Sequence, residues 1–486
     1  MNSTSRRNFL KQSSFAAAGV ALSARSWAQV AGANSDIRIG IIGLNGRGEA
    51  HIEAFSKMKG ARITAMCDVD RNVLDSHVAR QKKGGAELEG FIDLRKMLES
   101  QNVDAISIAT PNHWHALAAI WGIQAGKDVY VEKPVSHNVF EGRKIVEAAR
   151  KYKKIVQAGT QARSSTAIQE AVAWVNAGNL GKMKIARGLC YKPRPSIGKS
   201  SGPQPVPESV NYDLWCGPAP LVPPRRNTPK FGTIHYDWHW FWDYGNGDLG
   251  NQGVHQMDVA RWFLGERKLS PRVFSMGGRL GYEDDGETPN TMMIFHDYAR
   301  VPLIFEVRGL PEKTGSKQMD KYKGTSIGVV IECEQGDMVV TSDYKFVTAF
   351  DKDSQPVKKF EGEGDHFGNF INAVRSRKPS ELNADISEGH ISAGLCHTGN
   401  ISYRVGQQTK PEEIRETIKA NKGASETFGR MATHLEANGV DLEKTKATLG
   451  AVLEMDVDSE KFLNSSAANE LLTRKYRKPF VVPEKI

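Results

Sequence analysis

Between Asp36 and Ala158 the chain alternates short, unbroken apolar runs with longer stretches of helical apolar spacing. IRIGIIG, ARITAMCD, DAISIAT, KDVYVEKP and KKIVQAG read as strands. Between them RGEAHIEAFSKM, RNVLDSHVARQK, DLRKMLES, WHALAAIWGIQAG and NVFEGRKIVEAARKY read as amphipathic helices. Strands without polar alternation, separated by helices, predict an α/β fold with a parallel sheet covered on both faces.

The pattern changes from Met183. KIARGLCYK, VFSMGGRL, TMMIFHDY, VPLIFEVRG and TSIGVVIECEQGDMVVT follow one another with few helices between, which predicts a large, mostly antiparallel sheet. Residues 193–233 are rich in Pro, Gly and Ser and read as a long ordered excursion, a length that functional loops often have. Beyond Gln407, PEEIRETI, ASETFGRMATHLEANG and SEKFLNSSAANELLTRKYRKPFVVPE read as helices followed by an extended end. The chain thus divides into a first α/β domain over 36–158, an α+β sheet domain over 159–407 and a helical extension over 408–486. The extension either wraps back over the molecule or makes an oligomer contact, and a homo-oligomer is expected.

The first 28 residues stand apart. Arg6 and Arg7 precede an apolar run from Phe15 to Ala24, and Ser26-Trp27-Ala28 offers a small-x-small cleavage site. That is the pattern of a twin-arginine signal, which exports folded proteins, so a periplasmic mature protein is expected. The apolar run is too short for a membrane span of about 20 residues, and no other stretch reaches that length.

Composition adds three exclusions. The net charge of +9 falls to +5 without the signal, which removes four of the 65 basic residues and none of the 56 acidic ones. The remaining bases are dispersed, with no arginine-rich stripe or reading module, which argues against a nucleic-acid partner. Cys67, Cys190, Cys216, Cys333 and Cys396 are far apart and odd in number, so neither a zinc motif nor a disulfide framework is expected. A protein folded in the reducing cytoplasm before export would also lack disulfides. His113, His115, His235, His239 and His255 contain no HExxH-type spacing, and no metal is expected.

Candidate chemistry begins at Gly43-Leu44-Asn45-Gly46-Arg47-Gly48, which follows the first strand and opens a helix. A G-x-G-x-x-G turn needs a tight bend, close backbone approach to a pyrophosphate and close helix packing. Gly43 and Gly48 fill its outer positions, while Asn45 replaces the middle glycine, with Gly46 beside it. Asp68 ends the second strand twenty residues beyond Gly48, where a carboxylate binds the adenosine ribose hydroxyls. A carboxylate there repels a 2′-phosphate, so NAD is expected over NADP. Thr110-Pro111-Asn112-His113-Trp114-His115 and Glu132-Lys133-Pro134 lie at the carboxyl ends of later strands, where open α/β sheets bind ligands. Pro134 extends Lys133 out of the sheet edge, where it can donate to a substrate oxygen.

In HYDWHWFWDYGNGDLGNQGVHQMDVARW, the alternating Trp238, Trp240 and Trp242 would share a side of an extended segment. Trp240 and Tyr244 are candidates to stack on a sugar; burial in a core is the alternative. In a helix, Asn251, His255 and Asp258 share one face. His255 suits a proton acceptor near neutral pH. Asp258 is a candidate either for orienting its ring on the substrate side or for a structural acceptor among the helices.

GLNGRG, CDVD, TPNHWH, AGKDVYVEKP and GVHQMD together resemble the Gfo/Idh/MocA oxidoreductases, over about Asp36 to Gln407. The resemblance implies an N-terminal Rossmann NAD(P) domain, a C-terminal domain with a large, mostly antiparallel sheet, and chemistry on sugars, inositols or related polyols. DHFGNFINAVRSRKPSELNADISEGHISAGLCHTGNISYRVGQ resembles the family's returning helices. Carried over, Lys133 matches the family lysine and His255 the family histidine, whereas Asn251 stands where many members have aspartate. Three readings follow: an exported oxidoreductase with tightly held NAD(H), as in the glucose–fructose oxidoreductase branch; a redox-neutral glycosidase or lyase; and a non-catalytic sugar or cofactor sensor. The first is expected, with Asn251, Asp258, Trp240 and Tyr244 on the carbohydrate or polyol.

Overall fold

The computed structural model describes residues 36–225 and 234–486; the stretch expected to be a twin-arginine signal lies outside them. The first sheet has six parallel strands, β1 (Ile37–Ile42), β2 (Ala61–Cys67), β3 (Glu89–Phe91), β4 (Ala105–Ile108), β5 (Asp128–Glu132) and β6 (Val156–Gly159). Their order is β3-β2-β1-β4-β5-β6, the doubly wound arrangement whose direction reverses between β1 and β4. Every residue of β4, β5 and β6 is buried, as expected of strands covered on both faces. Five helices connect them: α1 (Arg47–Lys57), α2 (Arg71–Lys83), α3 (Leu94–Glu99), α4 (Asn112–Gln124) and α5 (Val139–Lys151). Asp70, Asp93 and Asn138 cap α2, α3 and α5 through their side chains, satisfying N–H groups that the first turn leaves open.

The second sheet has twelve strands and is antiparallel except where β7 (Met183–Tyr191) runs parallel to the strand Leu303–Arg308. One face is covered by the helices Val254–Leu264 and Ile386–Arg404. The other is covered by Pro411–Ile418 and Lys422–Ala437 of the extension. Ile386–Arg404 also packs on α5 and so joins the two sheets.

The extension wraps back within the chain. Besides its two helices, Ala447–Leu449 and Leu453–Asp456 add to the sheet beside Arg272–Gly278, strands too short for the sequence to signal. Only Ser466–Glu470 of the last predicted helix is helical. Among the described residues no helix is long and apolar enough to cross a membrane.

Candidate active site

A cavity of about 360 Å³ lies along the carboxyl edge of the first sheet, beside the β1–β4 reversal. Its floor is the glycine turn. Gly43 has φ +82°, and a Cβ there would lie 2.8 Å from the Ala109 carbonyl oxygen, so only glycine fits. A Cβ on Gly48 would lie 2.1 Å from the Gly43 oxygen. The remaining positive φ falls on Gly46 (+56°), not on Asn45, and space over Gly46 is open. The turn thus replaces the missing middle glycine with its neighbour, and the N-terminus of α1 opens into the cavity, as an anion such as pyrophosphate requires.

Asp68 lines the next part of the cavity and accepts the backbone N–H groups of Leu44 (3.0 Å) and Asp70 (3.0 Å). Burial raises its pKa against those two hydrogen bonds. Asp70 adds a second carboxylate, 3.2 Å from His235 Nε2. His235 belongs to the segment that returns from the Pro-rich excursion. That excursion is fastened to the first domain: Arg71 N donates to Ser209 O (2.8 Å), Asn211 N donates to Val69 O (2.9 Å), and Asp70 pairs with Val210. Leu214, Trp215, His235 and Trp238 thereby become walls of the cavity. Periodicity gave no sign of this strap, because it has none; the one available signal was its length.

At the other end stands Glu132-Lys133. Glu132 Oε1 accepts from Arg47 Nε (2.7 Å) and Gln161 Nε2 (2.9 Å), and lies 3.1 Å from His51 Nε2. Burial opposes its charge, but Arg47 leads the interactions that hold its pKa well below the usual range. Glu132 therefore anchors the end of β5 to α1. Lys133 Nζ donates across the cleft to the backbone oxygen of Asn251 (2.6 Å). Burial lowers the Lys133 pKa; Glu132 opposes this, while Arg47, Lys192 and Arg194 add to it. The His115 ring lies between the Thr110 oxygen (Nε2, 2.7 Å) and the Pro134 oxygen (Nδ1, 2.6 Å), where the neutral imidazole donates to one of them at the sheet edge. Its own pKa is lowered by burial. Thr110 Oγ1 and Asn112 Oδ1 are buried without a partner, and both residues line the cavity.

Asn251 begins on a π-helical turn, Leu249–Gly253, that leads into Val254–Leu264. A π turn spends more residues per revolution, so the spacing of 3.6 that put Asn251, His255 and Asp258 on one face does not hold. Asn251 lines the cavity and His255 does not. Burial first, then Lys133, brings the His255 pKa down to about 3, and its Nδ1 is buried without a partner.

Three candidates fall elsewhere. Asp258 is fully buried in a charged cluster, accepting from Arg163 Nε (2.9 Å) and Ser392 Oγ (2.6 Å) beside Arg261. It is a structural acceptor and does not reach the substrate side. The tryptophan segment is a 3₁₀ helix, Asp237–Trp240, not extended, so its rings diverge. Trp238 stacks on His239 and lines the cavity, whereas Trp240 is buried under the Arg194 guanidinium, 5.0 Å from its ring centre. Tyr244 is buried against Trp215 and His113 at ring distances of 4.8 and 5.2 Å. Neither Trp240 nor Tyr244 lines the cavity.

The model for the oxidoreductase family GFO_IDH_MocA, NAD-binding Rossmann fold, matches residues 37–160, and the model for its C-terminal alpha/beta domain matches 168–299. A glycosyl hydrolase family 109 protein of Shewanella baltica is 32% identical over 177 residues, 32% of this chain and 39% of that protein. Another, from Solibacter usitatus, is 35% identical over 162 residues, 31% of this chain and 37% of that protein. The match thus spans under two-fifths of these relatives' length. Among solved structures, the WlbA dehydrogenase of Bordetella pertussis, in complex with NADH and UDP-GlcNAcA, is 21% identical with a TM-score of 0.54, covering 74% of this chain and 94% of that one. A levoglucosan dehydrogenase in complex with NADH and levoglucosan is 17% identical with a TM-score of 0.55, covering 74% and 95%. At these identities the likeness to solved structures is one of fold.

Proposed function

The chain belongs to the Gfo/Idh/MocA oxidoreductase family, and on that premise we propose that it transfers hydride between a hydroxyl-bearing carbon of a sugar, glycoside or polyol and a tightly held NAD(H). The observation that carries this reading is Lys133, a desolvated lysine at the edge of the NAD-binding sheet, bonded across the cleft to the second domain.

The cavity fits the cofactor. Gly43 to Arg47 present backbone and a helix N-terminus to the pyrophosphate, Asp68 offers its carboxylate to the adenosine ribose, and Thr110 and Asn112 hold unpartnered polar atoms near the sheet edge. When bound, the nicotinamide supplies the hydride acceptor. Lys133, in its neutral form, takes the hydroxyl proton as the substrate C–H bond yields its electron pair and the C=O bond forms. In the reverse direction Lys133 returns that proton to the alkoxide. His255, with its pKa brought down to about 3, is a weak proton acceptor at neutral pH. We therefore assign the proton to Lys133 and not to His255, reversing the division expected from the sequence. Asn251 presents a carboxamide to the same cavity and holds Lys133 in place through its backbone oxygen.

The anchored stretch 209–211 and His235 support slow cofactor release, since both are fastened to the first domain at the Asp70 end of the cavity. A cofactor retained in this way reconciles a nicotinamide site with the twin-arginine signal. It is loaded in the cytoplasm, carried through export, and regenerated in place by a second carbonyl substrate. The relatives named as family 109 glycosyl hydrolases favour a second reading, in which a transient oxidation acidifies the neighbouring proton and lets a glycosidic bond leave by elimination.

Turnover of the cofactor-loaded protein on a panel of sugars and glycosides separates these. Oxidoreduction gives a change in nicotinamide absorbance that a carbonyl acceptor reverses. The glycosidase reading instead gives free sugar from a glycoside with no net change. Neither response to any glycoside, sugar or polyol would overturn both.

A further inference from the structure

A second cavity, of about 310 Å³, shares no lining residue with the first. It lies where the segment after Lys133, the loop before the π turn, the returning helix and the C-terminal tail meet. Among its lining residues, His137, Asn246, His397 and Asn400 are polar and more than nine-tenths buried. Each carries one polar atom without a partner in the protein: His137 Nε2, Asn246 Oδ1, His397 Nδ1 and Asn400 Oδ1. Arg474 adds its unpartnered Nε.

These groups are held in place by their other atoms. Asn246 Nδ2 donates to the His137 oxygen (3.1 Å), Asn400 Nδ2 donates to the Asn246 oxygen (3.1 Å), and Arg474 Nη1 donates to the Asp243 oxygen (2.8 Å). Buried polar atoms normally find partners, and here five unpartnered ones belong to the residues around one space. At the rim the Trp242 ring packs under the Arg404 guanidinium, 5.0 Å from its centre.

The mixture of groups selects the ligand. Two carboxamide oxygens need hydrogen-bond donors, and the Arg474 N–H needs an acceptor. A carboxylate or a fully ionised phosphate has no hydrogen for the two oxygens. An ammonium group has no acceptor for the arginine, and among the lining residues the cations Arg404, Arg474 and Lys475 outnumber the carboxylates Asp243 and Glu470. A neutral hydroxyl donates and accepts at once. The volume is at the low end of the range of about 300–1,000 Å³ typical of ligand pockets, and the Trp242 ring offers an apolar wall for ring C–H groups. We propose that this cavity binds a neutral polyhydroxylated ligand, a monosaccharide or polyol, separately from the candidate active site.

The site stands independently of the chemistry assigned to the first cavity. Equilibrium dialysis of the cofactor-loaded protein against labelled D-glucose, myo-inositol and glycerol tests it. At least one probe is expected to bind, and Lys133→Met, altered in the first cavity, should leave that binding in place. Asn400→Leu, which removes one acceptor and fills space, should weaken it tenfold or more. Trp242→Ala at the rim provides a second variant should Asn400→Leu lower the melting temperature. Failure of all three probes to bind, or binding that neither variant weakens, would overturn the proposal and leave the cavity to water.

Discussion

Lys133 has its titration set by what surrounds it. Burial is the largest influence and puts its pKa below the ordinary lysine value of 10.5. Oxidation requires the neutral amine, so kcat/KM for the hydroxyl substrate should rise with pH up to a break below 10.5. The reduction should fall over the same window, since there the protonated amine donates. A profile governed by a single break between about 3, where burial puts His255, and the ordinary histidine value of 6.5 would return the proton to His255. Lys133→Met is expected to lower kcat by about 10²–10⁴-fold, the usual worth of a positioned acid or base, while the cofactor stays bound. Asp258 belongs to stability instead. Asp258→Ala would strip Arg163 and Arg261 of a shared buried carboxylate. Such a loss costs about 3–5 kcal/mol, to be read from denaturant unfolding. The sequence brought Lys133 and Asn251 to one place because each lies where a strand or helix meets the cleft. The shared face expected for Asn251, His255 and Asp258 failed because a local change from α to π winding leaves no mark on residue spacing, whereas the structural alternative for Asp258 matches its buried contacts.

At the scale of elements, the glycine turn and the strap make opposite demands on reading a sequence. The turn is legible because steric limits act on single residues: Gly43 and Gly48 each sit against backbone that a Cβ would strike. Gly43→Ala should therefore lose cofactor during purification, as measured by nucleotide content per chain. The strap is illegible because its anchors are long-range pairings, residues 209–211 to 69–71 and His235 to Asp70. The tryptophan pattern misled for a related reason, since alternation implies one face only in a strand and the segment winds into a 3₁₀ helix. If the strap holds the cofactor, His235→Ala should speed NAD release by about fivefold, equivalent to about 1 kcal/mol for one polar contact. Stopped-flow displacement reads that rate; His235 is the better target because Asp70 also caps α2.

For the whole molecule, the two sheets were legible as a change from helix-separated apolar strands to consecutive ones, and the returning helix Ile386–Arg404 joins them. The short strands of the extension were not, because three or four residues carry too little pattern. The five cysteines are buried and unpaired. On the proposed function this oxidoreductase-family chain carries its nicotinamide with it. The direct test is to export and purify residues 29–486 without added cofactor, denature the protein, and identify any released nucleotide by mass spectrometry. The account predicts close to one NAD(H) per chain. A protein that emerges empty and binds no added NAD would contradict it.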